Sequence, residues 1–315
     1  MQVGVIGTGA LGRHHARLYS ACPQADLVGV FDVNRESACK VAAQTGTKVF
    51  ESIEDLANAC AGLSVVVPAH LHHRVAMPLL GAGKHLLVEK PVASTVAEAR
   101  ELVAAARQRG LVLAVGHVER FSPALAAATE FPGPVRYFSA RRCSPFPPAR
   151  PNLPPRGCEV SVVHDLMIHD LDLCLMLMQA TPVAISALAR SVLSTHEDFV
   201  AARLTFADGR VADITASRLA EEPARKLLLA KDEGHVNIDL RLRQATVQRF
   251  ADGQSVGEAF PVRETNPLAD ELADFCTAAS AVRAGRPARP RVDGQAGLRA
   301  LELAEDILAV ARQRK

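Results

Sequence analysis

Val3-Gly4-Val5-Ile6-Gly7-Thr8-Gly9-Ala10-Leu11-Gly12 reads as a short apolar strand that runs into three glycines spaced G-x-G-x-x-G and then opens a helix. In that context each glycine has a task. Gly7 makes the tight turn, Gly9 lets backbone approach a pyrophosphate, and Gly12 lets the helix sit close on the strand, with its first N–H groups facing the anion together with the backbone of Ala10 and Leu11. Asp32 ends the next apolar run, about 20 residues after the last glycine, where a carboxylate accepts ribose hydroxyls and repels a 2′-phosphate. The pattern therefore points to NAD rather than NADP. The plainer reading of Asp32 is a cap for the helix beginning near Asn34, or a partner for Arg35.

Outward from this stretch, the runs Val3 to Ile6, Leu27 to Phe31, Leu63 to Val67, Leu86 to Val88 and Leu111 to Val115 are continuously apolar. Parallel strands covered on both faces look like this, with the helical stretches between them as crossovers. The first part of the chain is thus a doubly wound parallel sheet in an α/β protein. After Glu119 the texture changes. Prolines at 145, 147, 148, 151, 154 and 155 make 144–157 a long loop, which would serve as a lid or as a contact with a neighbouring subunit. A helix from about Ser161 to Gln179 follows. Then come the β-like runs Val183 to Ser191, Phe199 to Phe206, Val211 to Ser217, Lys226 to Ala230, Val236 to Leu240 and Thr246 to Phe250, joined by turns such as Asp208-Gly209 and Asp252-Gly253. Two helices, Pro267 to Ala284 and Gly294 to Arg312, close the chain. The expected division is 1–118 and 119–315, with the last helix packing back on the first domain.

Composition narrows the partners. Among 315 residues, Lys+Arg number 36 and Asp+Glu 34, so no strong field favours nucleic acid or a charged membrane surface. Trp is absent and Tyr occurs twice, which leaves little material for stacking bases. No apolar run approaches a bilayer span and no secretory leader is evident. Seven scattered cysteines without a C-x-x-C pair fit reduced thiols, so the expected location is the cytoplasm. A small-molecule partner remains.

Two features then suggest chemistry. Glu89-Lys90-Pro91 follows the run Leu86 to Val88, at the carboxyl edge of the sheet where such folds bind ligands. Lys90 there is a solvated strand end, or an ammonium placed to hydrogen-bond a substrate hydroxyl. On the helix Val162 to Cys174, Asp165, His169 and Asp172 fall within about 60 degrees of one another at about 100 degrees per residue, on an otherwise apolar surface. Burying such groups unpaired costs several kcal/mol, so they form a satisfied core network or line a cleft. An Asp four residues before a His can orient it as a general base. His70, His72 and His73 resemble a metal cluster, but no carboxylate or cysteine neighbours them and the glycine cradle would go unexplained. No metal is expected, and His72 is read as lying beside the cofactor.

Taken in order, Gly7 to Gly12, Asp32, Pro68-Ala69-His70-Leu71-His72, Glu89-Lys90-Pro91, Gly116 to Pro123 and Asp165 to Asp172 resemble the glucose-fructose oxidoreductase/inositol dehydrogenase/rhizopine catabolism (Gfo/Idh/MocA) family. The resemblance implies a Rossmann domain followed by a C-terminal α/β domain with a large open, mainly antiparallel sheet that serves for substrate binding and for homodimer or homotetramer formation. It implies Lys90, Asp165 and His169 as catalytic residues. Gly7, Gly9, Ala10, Leu11, Gly12, Asp32, Pro68, His72, Glu89 and Lys90 are implied at the cofactor, and Lys90, His117, Arg120, Asp165 and His169 at the substrate. Ala69 departs from the Asn that relatives often carry. The stretches Val115 to Phe121, Val163 to Asp170 and Ala216 to Arg218 look most like the branch acting on a nucleotide sugar. Arg120, Arg141, Arg142, Arg218 and Arg225 are then candidates for a sugar diphosphate, each with a solvated sheet face as the plainer reading. The competing expectations are a free-sugar or inositol dehydrogenase of the same family and a non-catalytic dinucleotide sensor, which would have no reason to keep Lys90, Asp165 and His169 together.

Overall fold

The structure is a computed structural model that describes residues 1–151, 155–251 and 254–313. Its contacts divide the chain into two units, Met1–Phe121 with Asn266–Arg299, and Ser122–Thr265 with the chain from Ala300 onward. A single cut at 118/119 does not follow this division. Leu272, Phe275, Cys276 and Ala279 of the helix Pro267–Arg283 lie in the same core as Val3, Val5 and Val30, so burial returns that helix to the first unit.

In the first unit, β1 (Gln2–Ile6), β2 (Asp26–Phe31), β3 (Lys48–Val49), β4 (Gly62–Val65), β5 (His85–Glu89) and β6 (Leu113–Gly116) alternate with α1 (Gly12–Ser20), α2 (Arg35–Thr45), α3 (Ile53–Ala59), α4 (His72–Gly81) and α5 (Val96–Gln108). The strands form one parallel sheet in the order β3-β2-β1-β4-β5-β6. β4, β5 and β6 are buried along their whole length, which is why their sequences are continuously apolar rather than alternating. The reversal of strand order between β1 and β4 opens a crevice at the carboxyl edge. Two elements had no sequence signal strong enough to stand out, the two-residue β3 and the seven-residue α3.

The second unit has α6 (Ala126–Glu130), β7 (Val135–Cys143), α7 (Ile168–Met178), β8 (Ala184–Arg190), β9 (Phe199–Thr205), β10 (Val211–Ser217), β11 (Ala224–Lys231), β12 (Gly234–Asp239), β13 (Gln244–Ala251) and β14 (Gln254–Phe260). The chain ends in α8 (Pro267–Arg283), which belongs to the first unit, and α9 (Gly294–Arg312), whose residues from Ala300 belong to the second. The eight strands run β14-β13-β12-β11-β7-β10-β9-β8, antiparallel except for the β10–β7 pair. β7 was missing from the sequence reading although it lies inside this sheet. Arg136, Arg141 and Arg142 interrupt its apolar pattern, and one of them points inward. Residues 152–154 of the proline-rich loop, and Asp252-Gly253 of the turn before β14, lie outside the described residues.

One face of this sheet is covered. Met167, Leu171, Cys174 and Met178 meet Val200, Ala202, Leu204 and Ile214 in one core with Ala304 and Ile307 of α9. Two polar ties fasten α9 to this core. His164 Nε2 lies 2.7 Å from Glu305 Oε1, and Arg312 donates from Nε at 2.9 Å and from its terminal nitrogen at 3.2 Å to the two oxygens of Glu197. Burial pushes the Glu197 carboxyl up, but Arg312 and the Ser161 hydroxyl more than reverse this and bring it from 4.5 to about 2. A folded-state value below the unfolded one stabilises above the unfolded value and is lost as pH falls from about 4.5 toward 2. Urea unfolding between pH 5 and 2 should therefore show a smaller loss of stability per pH unit in Glu197→Gln than in wild type, by up to one proton or about 1.4 kcal/mol per pH unit. Identical slopes would remove this role.

Candidate functional site

The glycine cradle stands at the switch point. Gly7 has φ +92°, and a Cβ on it would run into Val66 O of the neighbouring strand's end. A Cβ on Gly12 would run into Gly7 O, whereas one on Gly9 would meet nothing within 4 Å. Two glycines thus close the turn and the third leaves its outer side open to a ligand. Gly9, Ala10 and Leu11 are exposed, and the start of α1 has no side-chain cap, an arrangement that suits an anion at the helix start.

Asp32 follows β2 and is partly exposed. Its Oδ2 accepts from Thr8 N at 2.6 Å and Thr8 Oγ1 at 3.0 Å, and its Oδ1 accepts from Asn34 N at 2.8 Å. Three donors against about four lone-pair sites leave room for one ribose hydroxyl without displacing a protein donor. The cap of α2 is Asn34, which accepts from Ser37 N, and Arg35 pairs with Glu51, so neither plainer reading of Asp32 describes it. The cradle, the uncapped helix and this carboxylate fit the pyrophosphate and ribose of NAD.

Other expected cofactor residues have different surroundings. Pro68 is exposed after β4. His72 is 1% exposed, with Nδ1 2.8 Å from Pro91 O and Nε2 2.9 Å from Val67 O. Burial holds its imidazole below the ordinary histidine range despite both carbonyls. What His72 does here is join the loops that follow β4 and β5. His73 turns to Glu101 at 2.8 Å and His70 is exposed, so the three histidines do not converge. Glu89 is buried at the end of β5, with Oε1 3.1 Å from His15 Nε2, and its Oε2 accepts from Lys90 N at 3.2 Å. Burial alone would raise this carboxyl, but the hydrogen bond from His15, with the charge of Lys90, holds it below the usual carboxylate range. Lys90 itself is partly exposed.

In the second unit, Val163–Met167 forms a π-helical turn before α7 begins at Ile168. Five-residue hydrogen bonding there changes the angular phase that the even helical count assumed. Asp165 and His169 are partly exposed, while Asp172 is 1% exposed, so the expected three-member stripe divides into two accessible groups and one core group. Gly157 lies against Asp165, since a Cβ there would meet Oδ2 at 2.5 Å.

Two of the arginines considered for a diphosphate are structural. Arg142, on β7, is 2% exposed and donates from Nε at 3.1 and 3.0 Å and from a terminal nitrogen at 2.8 Å to Asp170. Arg218 is also 2% exposed. It donates to Gly157 O, to Val160 O at 2.7 Å and to Glu197 O at 3.0 Å, and its Nε lies 3.4 Å from Asp198 Oδ1. A buried guanidinium cannot remain unpaired, so both are locked to partners remote in sequence. Arg141 and Arg225 are exposed. In the first unit, Arg120 reaches Arg291 O at 3.4 Å, and His117 is 1% exposed. The sequence reading missed His15 and the Arg142–Asp170 pair. A histidine on the buried face of α1 was the available signal for the first.

A dinucleotide cradle at the switch point of a doubly wound sheet, followed by a second α/β unit, defines an NAD-binding protein of two units. The chain belongs to the Gfo/Idh/MocA family. Residues 1–117 match the family model described as the oxidoreductase family, NAD-binding Rossmann fold, and residues 127–237 match the GFO/IDH/MocA C-terminal domain. The UDP-N-acetylglucosamine 3-dehydrogenase of Acidithiobacillus ferrooxidans is 37% identical over 311 residues, 96% of this chain and 95% of that protein. A solved structure of UDP-N-acetylglucosamine 3-dehydrogenase from that organism superposes with a TM-score of 0.90 at 35% identity, over 99% of this chain and 98% of the other. An inositol 2-dehydrogenase of Cereibacter sphaeroides is 29% identical over 205 residues, 62% of this chain and 60% of that protein.

Proposed function

We propose that this chain oxidises a ring hydroxyl of a nucleotide sugar, with the 3-position of UDP-N-acetylglucosamine as its substrate position. The observation that carries the reading is the 37% identity with the Acidithiobacillus enzyme along nearly the whole of both chains, in a sequence that has Lys90, Asp165 and His169. Bound NAD supplies the hydride acceptor. His169 takes the hydroxyl proton as the C–H hydrogen leaves with its electron pair, Lys90 donates a hydrogen bond to the same oxygen, and Asp165 orients the His169 ring. Arg120 and His117 belong to the substrate side of this reading. The similarity to an inositol 2-dehydrogenase supports a second reading, in which a free polyol is the substrate.

The uncovered face of the eight-stranded sheet is the proposed contact for a homodimer or homotetramer. Among the described residues no helix is long and apolar enough to cross a membrane. None of the seven cysteines is in a disulfide, and five are buried, which supports a reducing, cytoplasmic setting.

The test is NAD reduction on a panel of UDP-sugars, free sugars and inositols, with a carbonyl trap because alcohol oxidation by NAD is uphill. Turnover confined to UDP-N-acetylglucosamine is expected, and turnover confined to inositols would replace the first reading with the second. Calorimetric titration should show NADH binding more tightly than NADPH. The reverse order would overturn the role given to Asp32.

A further inference from the structure

The first helix presents Gly12, His15, Ala16 and Tyr19 to the core, the i, i+3, i+4, i+7 spacing of a buried face. Two of these four carry polar groups, and both are spoken for. Tyr19 is 1% exposed and His15 fully buried. Tyr19 Oη lies 2.8 Å from Ser64 Oγ on β4, and Ser64 Oγ lies 3.3 Å from His15 Nδ1. On its other side, His15 Nε2 is 3.1 Å from Glu89 Oε1 on β5. One direction of donation satisfies all of them. The phenol donates to the Ser64 oxygen, the serine hydroxyl donates to Nδ1, Nε2–H donates to Glu89, and the Lys90 N–H donates at 3.2 Å to the second Glu89 oxygen. Burial raises the Tyr19 phenol well above its ordinary value, which keeps it a donor.

Such a chain is costly to build and unnecessary for packing alone, because an apolar face would fill the same space. It connects the helix that opens from the glycine cradle to the backbone of Lys90. We infer that His15 is a positioning residue for this oxidoreductase: through Nε2 it fixes the Glu89 carboxylate, and through Glu89 it fixes the main chain that presents Lys90 to the substrate. The inference rests on the reading of Lys90 as the hydrogen-bond partner of the reacting hydroxyl.

The two ring nitrogens allow a test that packing would not pass. The side-chain amide nitrogen of glutamine falls where Nε2 lies, and that of asparagine falls where Nδ1 lies. His15→Gln should keep kcat within about 3-fold of wild type, while His15→Asn should lose about 10- to 100-fold in kcat with KM for NAD and sugar changed less than about 3-fold. A second readout needs no turnover. In protein whose lysines carry [13C]dimethyl groups, the Lys90 resonance, assigned by its loss in Lys90→Arg, should move in His15→Asn and stay in His15→Gln. If His15→Asn does not fold, His15→Leu, which fills the space without donating, takes its place with the same expectation. Equal kcat in the glutamine and asparagine proteins, or an unmoved Lys90 resonance in the latter, would overturn the inference. Lys90→Met separates it from the reading beneath it. Should Lys90→Met keep its turnover, both fall, since nothing is left to position. Should Lys90→Met lose turnover while His15→Asn behaves as wild type, only the role of His15 falls.

Discussion

His169→Ala is expected to lower kcat by about 10²- to 10⁴-fold, the range over which a positioned proton acceptor contributes, while NADH affinity changes by less than about 3-fold. The reasoning is local. His169 lies one residue into α7 and is partly exposed, so the substitution removes a proton acceptor without opening a core cavity. Lys90→Met should behave alike, since methionine retains much of the lysine stem and loses only the ammonium. Two measurements decide the matter, stopped-flow formation of NADH and fluorescence titration of NADH. A fall in affinity equal to the fall in rate would mean that these residues bind cofactor rather than act on the sugar. The acid limb of kcat/KM that a histidine base produces should also vanish in His169→Ala, and its persistence would assign the proton transfer to another group.

The second large effect concerns stability and reaches activity through it. Arg142→Met leaves the Asp170 carboxylate buried, with side chains 3% and 2% exposed in the wild-type pair. Breaking such a pair from one side costs about 3–5 kcal/mol, whereas replacing both members with apolar residues of similar volume is often neutral. Chemical denaturation should thus show a severe loss in Arg142→Met and recovery of most of it in Arg142→Met with Asp170→Leu. The functional consequence is specific. Asp170 is the neighbour of His169 in sequence, and its three hydrogen bonds from Arg142 hold the first turn of α7 on β7. The double variant should regain stability without regaining wild-type turnover. A double variant as unstable as the single one would show that the pair is not the source of the effect.

The two kinds of site residue differ in how far they could be read in advance. The cradle was legible because its requirement is local: a turn, a close approach and a helix start follow from residues 7–12 alone. The position of Asp32 directly after β2 was legible by spacing, though its hydrogen bonds from Thr8 and Asn34 were not. The stripe formed by Asp165, His169 and Asp172 was half legible. Even helical counting placed Asp172 with Asp165 and His169, but the π-helical turn at Val163–Met167 and the core around Asp172 gave it a different environment. The arginines were the least legible, since a guanidinium on a strand has the same sequence signature whether it meets solvent, a ligand or a buried carboxylate.

From the sequence alone came the parallel sheet with its glycine cradle, the change of texture after residue 119, the antiparallel runs and the family resemblance with its candidate catalytic residues. Each depends on periodicity, on turn chemistry or on short-range order along the chain. Only the tertiary structure returned α8 to the first core, inserted β7 beside β10, set Arg142 on Asp170 and joined His15 to Glu89. These depend on which distant segments share a low-dielectric interior. There an unpaired polar group is penalised, so the partner it must find is selected by proximity in space and leaves no mark in the order of residues.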